Sequence, residues 1–189
     1  MRQIPNLLTL LRIALSPVIA WLILQARFRE ALGLVVLAGL TDWFDGYAAR
    51  LLRVSGKLGV ILDPSADKVL LVTLFVTLTA AGLIKSWLLC LVLGRDLVIV
   101  IGALLLRIYR NARRFVPTVL GKVSTFFQIV FVLMVLLDAA FPHPVVGALR
   151  ITALFLTVLF TVLSGIGYVR IGIRMARRGP DSSGSQFSD

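Results

Sequence analysis

Four aspartates, Asp42, Asp45, Asp63 and Asp67, are crowded between residues 42 and 67 of a chain that carries only nine acidic side chains. The stretch reads TDWFDGYAARLLRVSGKLGVILDPSADK, and long apolar runs flank it on both sides. Four mutually facing carboxylates repel one another, and a charge at mid-membrane depth costs about 2.5 kcal/mol or more. Arg50 alone cannot neutralise them. Carboxylates without a partnering His or Cys suit hard divalent cations such as Mg²⁺ or Mn²⁺. Two pairs of carboxylates can hold two such ions about 3.5–4 Å apart, the spacing that clamps a phosphoryl group during displacement.

Helical periodicity makes this placement specific. At about 100° per residue, Asp42, Asp45, Gly46, Ala49 and Arg50 share one face, and Trp43, Phe44, Tyr47 and Leu51 take the other. Asp63 and Asp67 likewise share a face of a following helix counted from Gly59. The residue before a proline resists helical angles, so Asp63 is alternatively the cap of a helix that begins at Pro64. Gly46, Ala49 and Gly59 leave room for a bulky phosphate ligand, and Arg50 can pair with its oxygens. Two other readings compete. Any single aspartate reads equally well as an exposed interfacial carboxylate at a helix end. An ion or proton transporter would also use intramembrane acids, but it needs a route to both sides, and the other spans hold few acids besides Asp96.

The elements that must position these groups are membrane-spanning. The chain has 189 residues, 59% of them hydrophobic, and a mean hydropathy of +0.97. Six apolar windows, near 5–25, 31–51, 58–82, 86–108, 120–141 and 147–170, each approach the ~20 residues a spanning helix needs. Spanning backbone must satisfy its own polar groups, and these runs are too continuous for barrel strands. The expected fold class is therefore all-α, a polytopic membrane protein with six transmembrane helices. One membrane domain fills residues 1–172, and residues 173–189 form a basic helix end and a disordered polar tail. The first segment is read as a retained helix, because Arg12 interrupts what would be a signal peptide's apolar core.

The formal charge of +11 fits a membrane better than a nucleic acid, because the basic residues sort by side. Twelve (Arg2, Arg50, Arg53, Lys57, Arg107, Arg110, Arg113, Arg114, Arg170, Arg174, Arg177 and Arg178) fall on the side of the termini; four (Arg27, Arg29, Lys85 and Arg150) fall opposite. The positive-inside rule then puts both termini and the aspartates on the cytoplasmic side of the membrane, facing anionic headgroups. The short basic run at Arg110 is a topology signal. Trp21, Trp43 and Trp87 are interfacial anchors. Cys90, the sole cysteine, is expected to be buried in apolar surroundings, and His143, between Pro142 and Pro144, marks a turn.

Asp42, Asp45, Gly46, Ala49, Arg50, Gly59, Asp63 and Asp67 together resemble the D-x2-D-G-x2-A-R-x8-G-x3-D-x3-D signature of the CDP-alcohol phosphotransferases. All eight fixed positions match, and IPNLLTLLRI near the start resembles the family's bacterial phospholipid members. The resemblance spans roughly residues 4 to 172. It implies transfer of a phosphatidyl group from CDP-diacylglycerol to an alcohol, with release of CMP. It implies that Asp42, Asp45, Asp63 and Asp67 bind two metal ions, with Asp63 essential and Asp67 also the base for the acceptor hydroxyl. Gly46, Ala49, Arg50 and Gly59, with Asn6 and Thr9, would hold the CDP group. Arg95, Arg107 and Lys122 would receive an acceptor phosphate, that of phosphatidylglycerol or glycerol 3-phosphate. The Arg95–Asp96 pair, Arg107 and PTVLGKVST look more like the cardiolipin synthase members than the phosphatidylglycerophosphate synthases. A homodimer in a bacterial-type inner membrane is the further implication. No nucleic-acid partner is expected.

Overall fold

The computed structural model describes residues 4–51, 59–110 and 119–177, with side chains described for residues 13–41, 68–102 and 119–170. Within them the chain forms six helices and no strand: α1 (Ile4–Leu24), α2 (Phe28–Leu51), α3 (Gly59–Ala80), α4 (Ser86–Arg110), α5 (Val119–Ala140) and α6 (Pro144–Arg177). Each matches an apolar window of the sequence within a few residues, except that α6 runs on to Arg177. At 1.5 Å per residue its 34 residues extend for about 51 Å, well beyond a ~30 Å hydrocarbon core. By length and hydropathy, α5 (mean hydropathy 2.1) and Pro144–Arg170 of α6 (2.2) meet the requirement for a membrane span among the described residues. Ile13–Leu24 and Lys68–Ala80 are shorter apolar stretches.

Short turns fix the antiparallel order. After α1, Arg27 N–H donates to Leu22 C=O (2.9 Å); after α3, Leu83 N–H donates to Leu78 C=O (3.0 Å). Both are the long closing bond of a helix-terminating motif whose preceding residue is left-handed. At the second turn that residue is Gly82 (φ 74°), which tolerates the conformation freely; at the first it is Ala26 (φ 56°). Before α6, His143 acts as the cap: its Nδ1 accepts from Val145 N–H (3.2 Å) and its carbonyl from Gly147 N–H (3.0 Å). The turn expected at His143 is thus a helix start, with Pro144 in the first helical position, where its missing N–H costs nothing.

These three turns gather at one end. Arg29 Nε donates to Ala140 C=O (3.3 Å), and its guanidinium lies 4.8 Å from the Phe141 ring centre. Arg150 pairs with Asp138 (2.9 Å) and donates to Leu83 C=O (2.6 Å), tying α6 to α5 and to the turn after α3. Next to this end sits the apolar core. Ile19, Phe75, Leu78, Leu88, Val135 and Leu136 are 0–1% exposed within it. Cys90 is exposed on α4, which corrects the expectation of a buried thiol. A lipid-facing side of a membrane helix is as apolar as its packed side, so apolar neighbours in sequence do not imply burial. Trp21 and Trp87 are each about half exposed. Residues 111–114 of the basic run that starts at Arg110, and the tail from 178 onward, lie outside the described residues.

Candidate active site

The antiparallel order brings the opposite helix ends together: the start of α1 with Asn6 and Thr9, the end of α2, the start of α3, the end of α4 with Arg107, and the start of α5 with Lys122. The backbone of α2 is helical through Asp42, Asp45, Gly46, Ala49 and Arg50, so the shared face computed from the sequence holds. α3 begins at Gly59 and continues through Pro64. Asp63 is therefore inside the helix and not its cap, and Asp63 and Asp67 are successive turns of one face. By helical rise, Asp42 and Asp67 both lie about 12–14 Å along the axis from the ends that α2 and α3 turn towards each other. Asp45 and Asp63 lie nearer those ends, about 9 and 6 Å along the axis, so the four positions fall about one to two and a half turns from the helix ends. α1 packs on both α2 and α3. The side chains of the eight signature residues, of Asn6 and Thr9, and of Arg107 are outside the described set. The donor set remains a chemical fit: four aspartates on two consecutive helices, with no His or Cys at the signature positions, suit hard divalent ions.

One residue beyond Asp67 the side chains are described, and they form a buried polar layer. Lys68 Nζ lies 2.8 Å from Asp96 Oδ1. The same carboxylate oxygen accepts from Arg95 Nη1 at 2.8 Å. Arg95 then donates from Nε (3.2 Å) and Nη2 (2.7 Å) to Ser164 Oγ on α6, and from Nη2 to Gly121 C=O on α5 (3.2 Å). Its guanidinium is 5.9 Å from the Tyr168 ring centre. The layer continues as Ser124, Thr161 and Gln128: the hydroxyls of Ser124 and Thr161 are 3.2 Å apart, and Gln128 Nε2 donates to Thr161 (3.2 Å). Thr157 donates to Phe127 C=O at 2.9 Å. All of these polar side chains except Lys68 are buried. Burial of so many polar groups is tolerable because each is paired.

The three cations assigned to an acceptor phosphate thus differ in setting. Arg95 is buried, with each of its three guanidinium nitrogens engaged within the protein. Lys122 is exposed, next in sequence to the Gly121 carbonyl that Arg95 reaches. Arg107 is on α4, three turns further towards the site end. Between α4 and α6 a laterally open groove of about 470 Å³ has Arg95 and Thr161 in its wall, with Gly94 and Gly165 facing it and Arg170 at its rim. The Arg95 stem passes 3.8 Å from where a Cβ on Gly165 would sit.

Sequence reasoning missed Lys68. Its signal was present: a lysine directly after the last signature aspartate, ten residues into an apolar helix, needs a partner. It also left the Ser124–Gln128 and Thr157–Thr161–Ser164 spacings unread, though both follow a helical stripe.

A family profile described as CDP-alcohol phosphatidyltransferase matches residues 2–163. Among similar proteins, a rat protein named cardiolipin synthase (CMP-forming) is 39% identical over 146 residues, covering 68% of this chain and 48% of its own length. The human protein of the same name is 35% identical over 186 residues, covering 89% and 61%. An Aquifex aeolicus protein named CDP-diacylglycerol–glycerol-3-phosphate 3-phosphatidyltransferase is 34% identical over 183 residues, covering 92% and 97%. The chain spans about half to three fifths of the two mammalian relatives and nearly all of the bacterial one.

Proposed function

This chain belongs to the CDP-alcohol phosphatidyltransferase family, and from that premise we propose that it transfers a phosphatidyl group from CDP-diacylglycerol to phosphatidylglycerol, giving cardiolipin and CMP. The observation that carries the reading is the occurrence of all four signature aspartates on two consecutive helices, within about one to two and a half turns of the ends those helices turn towards each other. The acceptor hydroxyl oxygen forms a bond to the phosphorus nearer the diacylglycerol. The bond from that phosphorus to the CMP oxygen breaks, and CMP departs with the electron pair. Two divalent cations, when bound by Asp42, Asp45, Asp63 and Asp67, supply neutralisation of the diphosphate charge. Asp67 also orients the acceptor hydroxyl and takes its proton; a carboxylate is a weak base there, so positioning is its main contribution. Arg50 pairs with phosphate oxygens, and Gly46, Ala49 and Gly59, with Asn6 and Thr9, leave the space that CDP fills.

A lipid acceptor is favoured by the groove between α4 and α6, whose open side admits acyl chains beside Arg95. Arg107 and Lys122 are then the cations for the acceptor phosphate. Arg95, engaged within the protein through all three guanidinium nitrogens, instead positions Lys122 through its hold on the neighbouring Gly121 carbonyl. A second reading, glycerol 3-phosphate as acceptor, is supported by the A. aeolicus relative. The test offers each acceptor separately to purified protein with the same donor and metal, and identifies the lipid product by mass. Cardiolipin from phosphatidylglycerol supports the proposal. Phosphatidylglycerophosphate from glycerol 3-phosphate, with no turnover of phosphatidylglycerol, establishes the second reading.

All six helices span the membrane in this proposal, the site faces the cytoplasm, and the protein is a homodimer. A transporter is disfavoured by the apolar core: Ile19, Phe75, Leu78, Leu88 and Leu136 close the far half of the bundle among the described residues. In a Cys90-free background, cysteines at positions 55 and 112 are expected to react with a cytoplasmic reagent, and one at position 145 from the other side. Reversed labelling overturns the orientation.

A further inference from the structure

We infer that Lys68 and Asp96 form a positioning pair that fixes the rotation of α3, and so the aim of Asp63 and Asp67. The inference rests on the proposal that these aspartates bind metal. α3 packs extensively against α1 but meets α4 over only a few residues. Across that thin contact the described ionic link is Lys68 to Asp96, at 2.8 Å. Asp96 is itself immobilised. It is 7% exposed, and its Oδ1 is shared with Arg95, which is anchored to Ser164 on α6 and to the Gly121 carbonyl on α5. Lys68 therefore ties the aspartate-bearing helix, through one carboxylate and one guanidinium, to three other helices.

The magnitudes show why rotation matters. A side-chain tip at about 5 Å from a helix axis moves about 1.7 Å for a 20° turn. Metal–ligand distances tolerate about 0.2 Å. Apolar packing against lipid or Leu-rich neighbours is a weak restraint on rotation, because one apolar face substitutes readily for another. A short ion pair one residue from Asp67 is a strong one. Contacts that directly orient a metal ligand are typically worth about 10- to 100-fold in metal affinity, and Lys68 acts one step further out, through the helix that carries the ligands.

The sign of the effect separates positioning from simple electrostatics. Removing a cation beside four carboxylates should by charge alone tighten binding of a divalent ion. Loss of positioning weakens it. Mn²⁺ binding to the full chain in lipid nanodiscs, followed by the loss of the free-ion EPR signal, is the readout. It is accompanied by the Mg²⁺ concentration that gives half-maximal turnover. Lys68→Met is expected to raise the Mn²⁺ dissociation constant about tenfold or more, Lys68→Arg to stay near wild type, and Lys68→Gln, which keeps a donor but no charge, to fall between. Lys68 is partly exposed, so these variants disturb the buried layer least, and the Gln and Arg variants carry the test if the Met variant does not fold. Unchanged or tighter Mn²⁺ binding in Lys68→Met or Lys68→Gln, with wild type binding normally, overturns the inference alone. A wild type that binds no Mn²⁺ overturns the metal reading and the inference with it.

Discussion

Two buried regions of this bundle are built on opposite principles. Towards the end where the three short turns meet, Ile19, Phe75, Leu78, Leu88, Phe131 and Leu136 pack as an apolar core. Towards the aspartates, Lys68, Arg95, Asp96, Ser124, Gln128, Thr157, Thr161 and Ser164 form a paired polar layer. In water the first would supply most of the stability and the second little. In a membrane the balance changes. Lipid tails are as apolar as leucine, so the core gains only packing. In the polar layer a charge left unpaired in hydrocarbon is costly, whereas a single neutral hydrogen bond contributes little, because the unfolded chain in the membrane also finds partners for it. Among the described residues the apolar half closes one side of the bundle, and in the proposed account the polar half holds the register of the aspartate-bearing helix.

The largest expected effect is chemical. Asp67→Asn should lower turnover by about 10²–10⁴-fold while the protein still inserts and elutes as wild type; near-normal turnover would leave the aspartates as interfacial decoration. The next is in the polar layer. Asp96→Asn removes the charge that Lys68 and Arg95 share, and breaking a buried ion pair from one side costs about 3–5 kcal/mol, to be read from unfolding in detergent. Phe131→Ala, in the apolar half, should cost less than the ~3–5 kcal/mol of a soluble core, since its transfer term largely vanishes in lipid. If Phe131→Ala proves more damaging than Asp96→Asn, the contrast between the two regions is wrong. Gln128→Leu should be the mildest, about 0.6 kcal/mol, the mean for an interhelical hydrogen bond in a membrane protein.

The same contrast explains what the sequence made legible. Apolar windows located all six helices, because length and hydropathy survive whatever a helix packs against. Apolar residues could not say which face is buried: Phe155 is 71% exposed and Phe131 1%, with nothing in either residue type to separate them. That is why Cys90 was misplaced. Polar residues did carry the information. Gly121, Ser124 and Gln128 lie on one stripe of α5, and Thr157, Thr161, Ser164 and Tyr168 on one stripe of α6, and both stripes are buried. The four aspartates were legible for the same reason, as charges an apolar chain does not carry idly. Of the partners of Arg95, the adjacent Asp96 was legible, but Ser164 and Gly121 were not, because they come from other helices and no spacing rule links them. The start of α3 was ambiguous because Pro64 disfavours helix at Asp63, and the continuous helix from Gly59 overrides that local preference.

The central claim is a metal-dependent phosphatidyl transfer at the four aspartates. Its most direct test follows CMP release by purified protein from CDP-diacylglycerol and phosphatidylglycerol, first with Mg²⁺ or Mn²⁺, then with EDTA, then with the metal restored. The account predicts release with metal, none in chelator and recovery on addition of either ion. Full CMP release in EDTA would contradict it.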